Sequence, residues 1–327
     1  MTAAAAVRAF TASGGDFPYG PVLDEFLRHG KHHVPPDLLD ALAGCPFDPV
    51  LVDVLLDKFD KRYDYRSYLA LPLLDRAEGD RDRLVALLLD DAIAFEEAPG
   101  SRLPDLRPAD TAKRVRHLRR ARPALDVTPT PAERLLLRCT MLPVATVHDE
   151  HLFIRVLQAF ELTFAQIVTD LSAFSPEALH LAADRLRSRG PLWSALATMS
   201  VEAFQRFRRY TEGASAIQSR HYKLMESLAR RPDAARLASE AYLSVPEVRV
   251  RVLAGGPTID AVLTPDRATH AAMTDFAEAL TQWRRTHYRV AVRMLGPDRP
   301  GTGYTAGPSY LAEARAIPVF TGCPFRE

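Results

Sequence analysis

The stretch HDEHLFIRVLQAFELTFAQIVTDLSAF, residues 148–174, limits the fold more than any other part of the chain. Phe153, Val156, Leu157, Phe160, Phe164, Ile167, Leu171 and Phe174 recur at i, i+3, i+4 and i+7 spacing. That spacing winds a broad apolar face along about seven helical turns. A face this wide must be covered by several further helices.

The sequence supplies them. VLDEFLRH, PPDLLDALAG and DPVLVDVLLDKFD carry helical spacing within residues 21–60, and DRDRLVALLLDDAIAFEEA predicts a helix over about 80–98. SPEALHLAADRLRSRG opens with Ser175 as N-cap, Pro176 and Glu177 in the first turn, and stops at Gly190. YLSVPEVRVRVLAGGPTIDAVL alone shows β-branched alternation, and it is equally compatible with short helices and loops. With no βαβ alternation and no repeat, the chain reads as mainly α, a helical bundle forming one structural domain. Residues 1–20, small and Gly/Ala-rich, read as a flexible arm. Residues 21–145 read as N-terminal helices with an inserted Pro- and Arg-rich segment around 75–145, and 146–327 as the core that carries the site. The basic run KRVRHLRRAR (113–122) lacks interleaved aromatics. It reads as a solvated face or as the salt-bridged partner of the acidic helix before it, not as a nucleic-acid contact.

Composition narrows the partners. Among 327 residues, 42 basic side chains face 41 acidic ones, which gives no global attraction to nucleic acid, membrane or acidic substrates. The longest apolar runs, such as LVALLL, are too short to span a bilayer, and the N-terminus has no long hydrophobic signal core, so a cytoplasmic location is expected. Cys45, Cys139 and Cys323 show no zinc spacing; two stand in GCPF, a turn-like context that also resembles haem-sensing Cys-Pro pairs. HDEH (148–151) sets two imidazoles at i, i+3 around two carboxylates. It could hold a divalent ion, but it more simply starts a helix with acidic residues at the positive dipole end.

One histidine stands out. From Met273 the apolar stripe runs through Phe276, Leu280 and Trp283 to His287, then Val290, Ala291 and Met294. His287 occupies the centre of a buried face, and the Gly-rich polar loop GPDRPGTGYTAGPSYL follows, of a kind suited to closing over a small ligand.

Four separated segments together resemble the tryptophan 2,3-dioxygenase branch of the histidine-ligated haem aromatic oxygenases. They are YRSYL (65–69), HDEHLFIRVLQAFELTF (148–164), FQRFRRYTEGASAIQS (204–219), and WRRTHYRVAVRMLG (283–296) with GTGYTAGPSYL (301–311). The resemblance implies a helical bundle of that type, haem b as cofactor, and an aromatic amino acid, tryptophan or a derivative, and O2 as substrates. His287 would then be the proximal iron ligand, with Trp283 and Ser215 beside the haem. Arg208 would clamp the substrate carboxylate, since a guanidinium offers two parallel hydrogen bonds, and Thr302 would meet the ammonium. Phe153, Phe204, Tyr65 and Tyr68 would wall the indole. In that family the tyrosine pair comes from a neighbouring subunit, which implies a homo-oligomer, a tetramer or dimer. Arg284, Arg289 and Arg293 would lie off the His287 stripe, free for haem propionates or solvent.

The likeness breaks at Leu157, where the family carries a distal histidine. Leucine neither donates to iron-bound oxygen nor accepts the indole proton, so the substrate's N1 contact and identity are open. The inserted segment, a longer loop before GTG and Thr211 in a usual leucine position mark a specialised relative, of the sort found in natural-product biosynthesis. Mono-oxygenation of an aromatic amino acid and a non-catalytic haem sensor are the rival readings.

Overall fold

Helices start where short polar side chains take up the free N–H groups of a first turn. The computed structural model describes residues 1–57, 64–98, 107–211, 213–263, 266–297, 300–301 and 307–321, and these contain helices and no strand. The N-terminal half holds α1 (Ala3–Ser13), α2 (Tyr19–His29), α3 (Pro36–Ala43), α4 (Pro49–Leu56), α5 (Tyr65–Tyr68), α6 (Leu71–Asp75), α7 (Arg81–Glu97), α8 (Pro108–Ala121) and α9 (Pro131–Cys139). Then come α10 (His148–Leu171), α11 (Pro176–Arg189), α12 (Pro191–Leu196), α13 (Val201–Arg208), α14 (Arg220–Ala229) and α15 (Ala234–Ala238). The chain continues through α16 (Glu240–Leu243), α17 (Pro246–Leu253), α18 (Ile259–Val262), α19 (Arg267–Leu295) and α20 (Pro308–Ala316). Asp80, Ser175 and Asp266 cap α7, α11 and α19, and Thr130 with Glu133 forms a reciprocal capping box on α9.

Two long helices organise the bundle. α10 packs against α7, α11 and α14, and α19 runs along α11 and α20. α10 is long and apolar enough to cross a membrane, yet its length is buried against these neighbours. The same residues join one large core, to which Phe160, Phe164, Trp193, Leu280 and Trp283 all belong.

Three expectations meet the structure directly. The flexible arm at residues 1–20 is instead α1 and the start of α2. Ala3, Ala4, Ala6 and Val7 are buried, alanines letting α1 lie close on α3, and Phe17 stacks on Phe47 with centroids 4.3 Å apart. The β-branched stretch forms α16–α18. Helical spacing there buries Val248 and Val252 and leaves Val250 65% exposed, which alternation in a strand could not do. The basic run belongs to α8 and is tied to the acidic α7 before it. Arg114, fully buried, pairs with Glu96 at 2.6 Å and Asp149 at 2.7 Å; Arg119 pairs with Glu97 and Arg122 with Asp90.

The N-terminal helices are knitted to the core at Gly30. Its φ of +71°, and a Cβ position only 2.8 Å from Ala145 Cα, admit no side chain. There the N–H groups of Lys31 and His32 donate to the carbonyls of Pro143 and Val144.

Candidate functional site

His287 lies on the wall of a cavity between α10, α12, α14 and α19. The cavity has a volume of about 170 Å³. In an interior packed like an organic crystal, a void that size marks a binding site. The imidazole stacks on Trp193 (centroids 4.7 Å, planes at 17°) and meets Trp283 edge-on at 5.3 Å. What surface it keeps is turned to the cavity. Neither ring nitrogen has a hydrogen-bond partner among the described residues. Burial, and secondarily the charge of Lys223, pushes the imidazole down to about 4, so it is neutral at pH 7 with a lone pair to give.

Tyr65, Tyr68, Phe153, Leu157, Phe204, Ser215 and Trp283 line the same cavity. Polar contacts between the segments and ring packing hold this wall together. Gln158, next to Leu157, donates to the carbonyls of Leu69 (2.9 Å) and Thr140 (2.8 Å), pinning the α5–α6 junction on α10. Gln218 Oε1 accepts from the backbone N–H of Tyr65 (2.8 Å) and of Ser215 (3.3 Å), joining the serine loop to the tyrosine segment. Tyr65 OH donates to Glu161 and Tyr68 OH to Glu150; burial, then the neighbouring carboxylate, raises both phenols well above their ordinary value. At the start of α10, Asp149 accepts from Arg114 and from the N–H of Ser200, which sets the beginning of α13 and so Phe204. Phe204 and Phe207 pack on Phe153 at 5.8 and 5.2 Å.

Tyr65 and Tyr68 wall the cavity of their own chain, anchored by Glu161, Glu150 and Gln218. Arg208 does not line the cavity; its guanidinium donates to the carbonyls of Pro300 and Gly301, and Gly301 does line it. Thr302 lies outside the described residues, as does Cys323.

Arg284 is not free for solvent. It is buried, donating to Glu226 (3.0 Å), Tyr222 OH (3.0 Å) and the Ile317 carbonyl (2.8 Å). Arg293 donates to the Ala197 carbonyl. Sequence reasoning missed Trp193, Glu161 and Lys223, all on the cavity wall. Trp193 carried a signal: the chain has two tryptophans, and a buried one seeks an aromatic or apolar partner.

The HDEH imidazoles pair with α7. His148 Nε2 lies 3.2 Å from Glu96, and His151 Nε2 lies 3.1 Å from Asp91 with its ring stacked on Phe95. Among the described residues, no three His, Cys, Asp or Glu side chains converge as a metal cage.

The architecture and the cavity can be set beside known proteins. No protein-family model matches the chain. Tryptophan 2,3-dioxygenase of Anaeromyxobacter sp. (strain K) is 26% identical over 230 residues, covering 54% of this chain and 86% of the relative. The enzymes of the same name from Bradyrhizobium diazoefficiens and Nocardioides sp. are each 28% identical, over 233 and 216 residues. They cover 54% and 50% of this chain, and 83% and 79% of those relatives.

The chain is a divergent relative of the tryptophan 2,3-dioxygenases. About half of the chain lies outside the stretch shared with these relatives.

Proposed function

We propose that this protein binds haem b through His287 and oxygenates L-tryptophan or a ring-modified tryptophan, adding O2 across the indole 2,3-bond to give an N-formylkynurenine-type product. The observation that carries the reading is His287 itself, a neutral imidazole without a hydrogen-bond partner among the described residues, held flat by Trp193 on the wall of an aromatic cavity. The names and coverage of the curated relatives support it.

The residues present fit the group. A neutral imidazole on a rigid helix would suit the iron as a ligand, and Trp193, Trp283, Phe160 and Leu196 would make apolar walls for a macrocycle. Bound there, haem supplies the redox-active iron that activates O2. The protein's own side chains bind and orient. Phe153, Leu157, Phe204 and Tyr65 exclude water and match a flat indole by shape and ring contact. The resemblance gives Arg208 the carboxylate and Thr302 the ammonium; Arg208 stands outside the cavity wall here, on the Pro300 and Gly301 carbonyls, so it would serve as the clamp only by releasing them.

Leu157 favours a second reading. It is 8% exposed and lines the cavity where the resemblance calls for a proton-bearing side chain, so the alternative outcome is mono-oxygenation of an aromatic amino acid, by peroxide or by O2 with an external two-electron donor, the other oxygen atom leaving as water in either case. Product mass decides between them. Haem-loaded, reduced protein incubated with L-tryptophan and O2 should give a product heavier by two oxygen atoms; a gain of one selects the alternative. Haem binding without any amino-acid turnover would overturn both.

A further inference from the structure

Three acidic side chains are buried on α10, and their hydrogen bonds differ. Asp149 accepts from Arg114 on Oδ1 and from the N–H of Ser200 on Oδ2. Glu150 accepts from the N–H of Val144 (2.7 Å) and the Tyr68 hydroxyl (3.2 Å) on Oε1, and from the N–H of Ala145 (3.0 Å) on Oε2. Glu161, 2% exposed, is satisfied on one oxygen alone. Its Oε1 takes the Tyr65 hydroxyl at 3.1 Å, and its Oε2 takes no hydrogen bond among the described residues. His221 Nδ1 faces Oε2 at 3.6 Å, too far for one.

Placement explains which carboxyl is left open. Asp149 and Glu150 stand off the cavity, whereas Glu161 borders it, the one acidic side chain to do so among the described residues. A carboxyl offers about four lone-pair sites, and burying one that is mostly unfilled is unfavourable until a donor reaches it. Tyr65 and Tyr68 thus end on two glutamates of the same helix, and the pair with unfilled lone pairs is the pair at the cavity.

Leu157 and Glu161 are four residues apart on α10, one turn along the same face, and both wall the cavity. Leucine has nothing to accept the proton of a ring N–H. The carboxyl one turn on does, and it is bonded to Tyr65, part of the same aromatic wall. We propose that Glu161 is the acceptor for the ring N–H of the aromatic amino acid, brought to it by a turn of the carboxyl about its terminal torsion, which is broad. The inference rests on the tryptophan reading above and narrows its substrate class: indoles substituted on ring carbon are accepted, and those substituted on the ring nitrogen are rejected. The ammonium of the same ligand is the other N–H donor that a carboxyl would take, and the test separates the two.

The experiment is isothermal titration calorimetry of the haem-loaded ferric protein with L-tryptophan and with its benzofuran analogue, in which oxygen replaces the ring N–H in a ring system of nearly the same shape. Wild type should bind tryptophan about tenfold to a hundredfold more tightly than the analogue, the scale of stranding a buried acceptor. Glu161→Met should erase most of that difference by weakening tryptophan and sparing the analogue. Equal affinity of wild type for the two ligands overturns the acceptor while the tryptophan reading stands, and binding of neither removes both. A Glu161→Met protein that loses the same factor toward each ligand overturns the proposal in favour of the ammonium; one that keeps the wild-type preference overturns it in favour of another acceptor. If Glu161→Met does not fold, Glu161→Gln carries the test, because it keeps an oxygen for the Tyr65 hydroxyl and is a weaker acceptor than a carboxylate. Its preference for tryptophan should fall several-fold, and an unchanged preference overturns the assignment.

Discussion

The His287 imidazole lies on the Trp193 indole with ring centroids 4.7 Å apart and planes 17° from parallel. Trp283 meets the same imidazole at 62°, so the two tryptophans of the chain fix its position from two sides. A ligand held this way loses little freedom when it binds, which is what a site needs from the residues behind it. Trp193 is 4% exposed, and Trp193→Ala should cost about 3–5 kcal/mol of stability, measured by urea denaturation. Trp193→Phe, which keeps a ring against His287, should recover most of that.

Arg114 joins three elements of the inserted segment and the core. It is fully buried between Glu96, Asp149 and Thr198, and Asp149 in turn fixes the start of α13. Arg114→Met leaves two carboxylates buried without their cation, and about 3–5 kcal/mol of stability should be lost. An Arg114→Met protein within 1 kcal/mol of wild type in urea would show the pair to be incidental.

Glu226 sets an acid limit. Burial alone would raise its carboxyl, yet Lys223, Arg284 and Arg236 hold it down at about 2, below the ordinary 4.5. A group depressed in the folded state contributes stability that is fully present above about pH 4.5 and is lost as pH falls toward 2. Wild type should lose about 3 kcal/mol from this group over that interval, and Glu226→Gln, weaker at pH 7, should show a shallower loss. Melting curves taken every half pH unit check the slope.

Leu157 shapes the ring pocket. Leu157→Ala removes apolar bulk from the wall shared with Phe153 and Phe204, which should favour tryptophans carrying a ring methyl or chlorine. In kcat/KM relative to L-tryptophan the gain should be about tenfold, the worth of a well-placed methylene or two. Unchanged relative kcat/KM would place the substituent elsewhere.

The helical architecture was legible because its signals are local. The period along α10, the Ser175 and Asp80 caps and the acidic-to-basic pairing of α7 with α8 each follow from spacing or from a short side chain near a helix end. His287 was legible because a polar residue interrupts an apolar stripe. Trp193, Lys223 and Arg284 were not, because their roles depend on which distant elements meet. Arg284 looks like a surface arginine in WRRTH until α14 and the Ile317 carbonyl are seen against it. The cis placement of Tyr65 and Tyr68 likewise depends on Gln218, 153 residues from Tyr65 along the chain. The first helix was hidden by its composition, since alanines signal neither core nor loop until a neighbour lies close enough to cover them.

The central claim is that His287 is an iron ligand, and the most direct measurement is a haem titration of wild type beside His287→Gly, followed in the Soret region with and without added imidazole. Wild type should saturate at one haem per chain, His287→Gly should lose the ligated spectrum, and free imidazole filling the vacated space should restore it. A His287→Gly protein with the wild-type spectrum and affinity in the absence of imidazole would contradict the assignment.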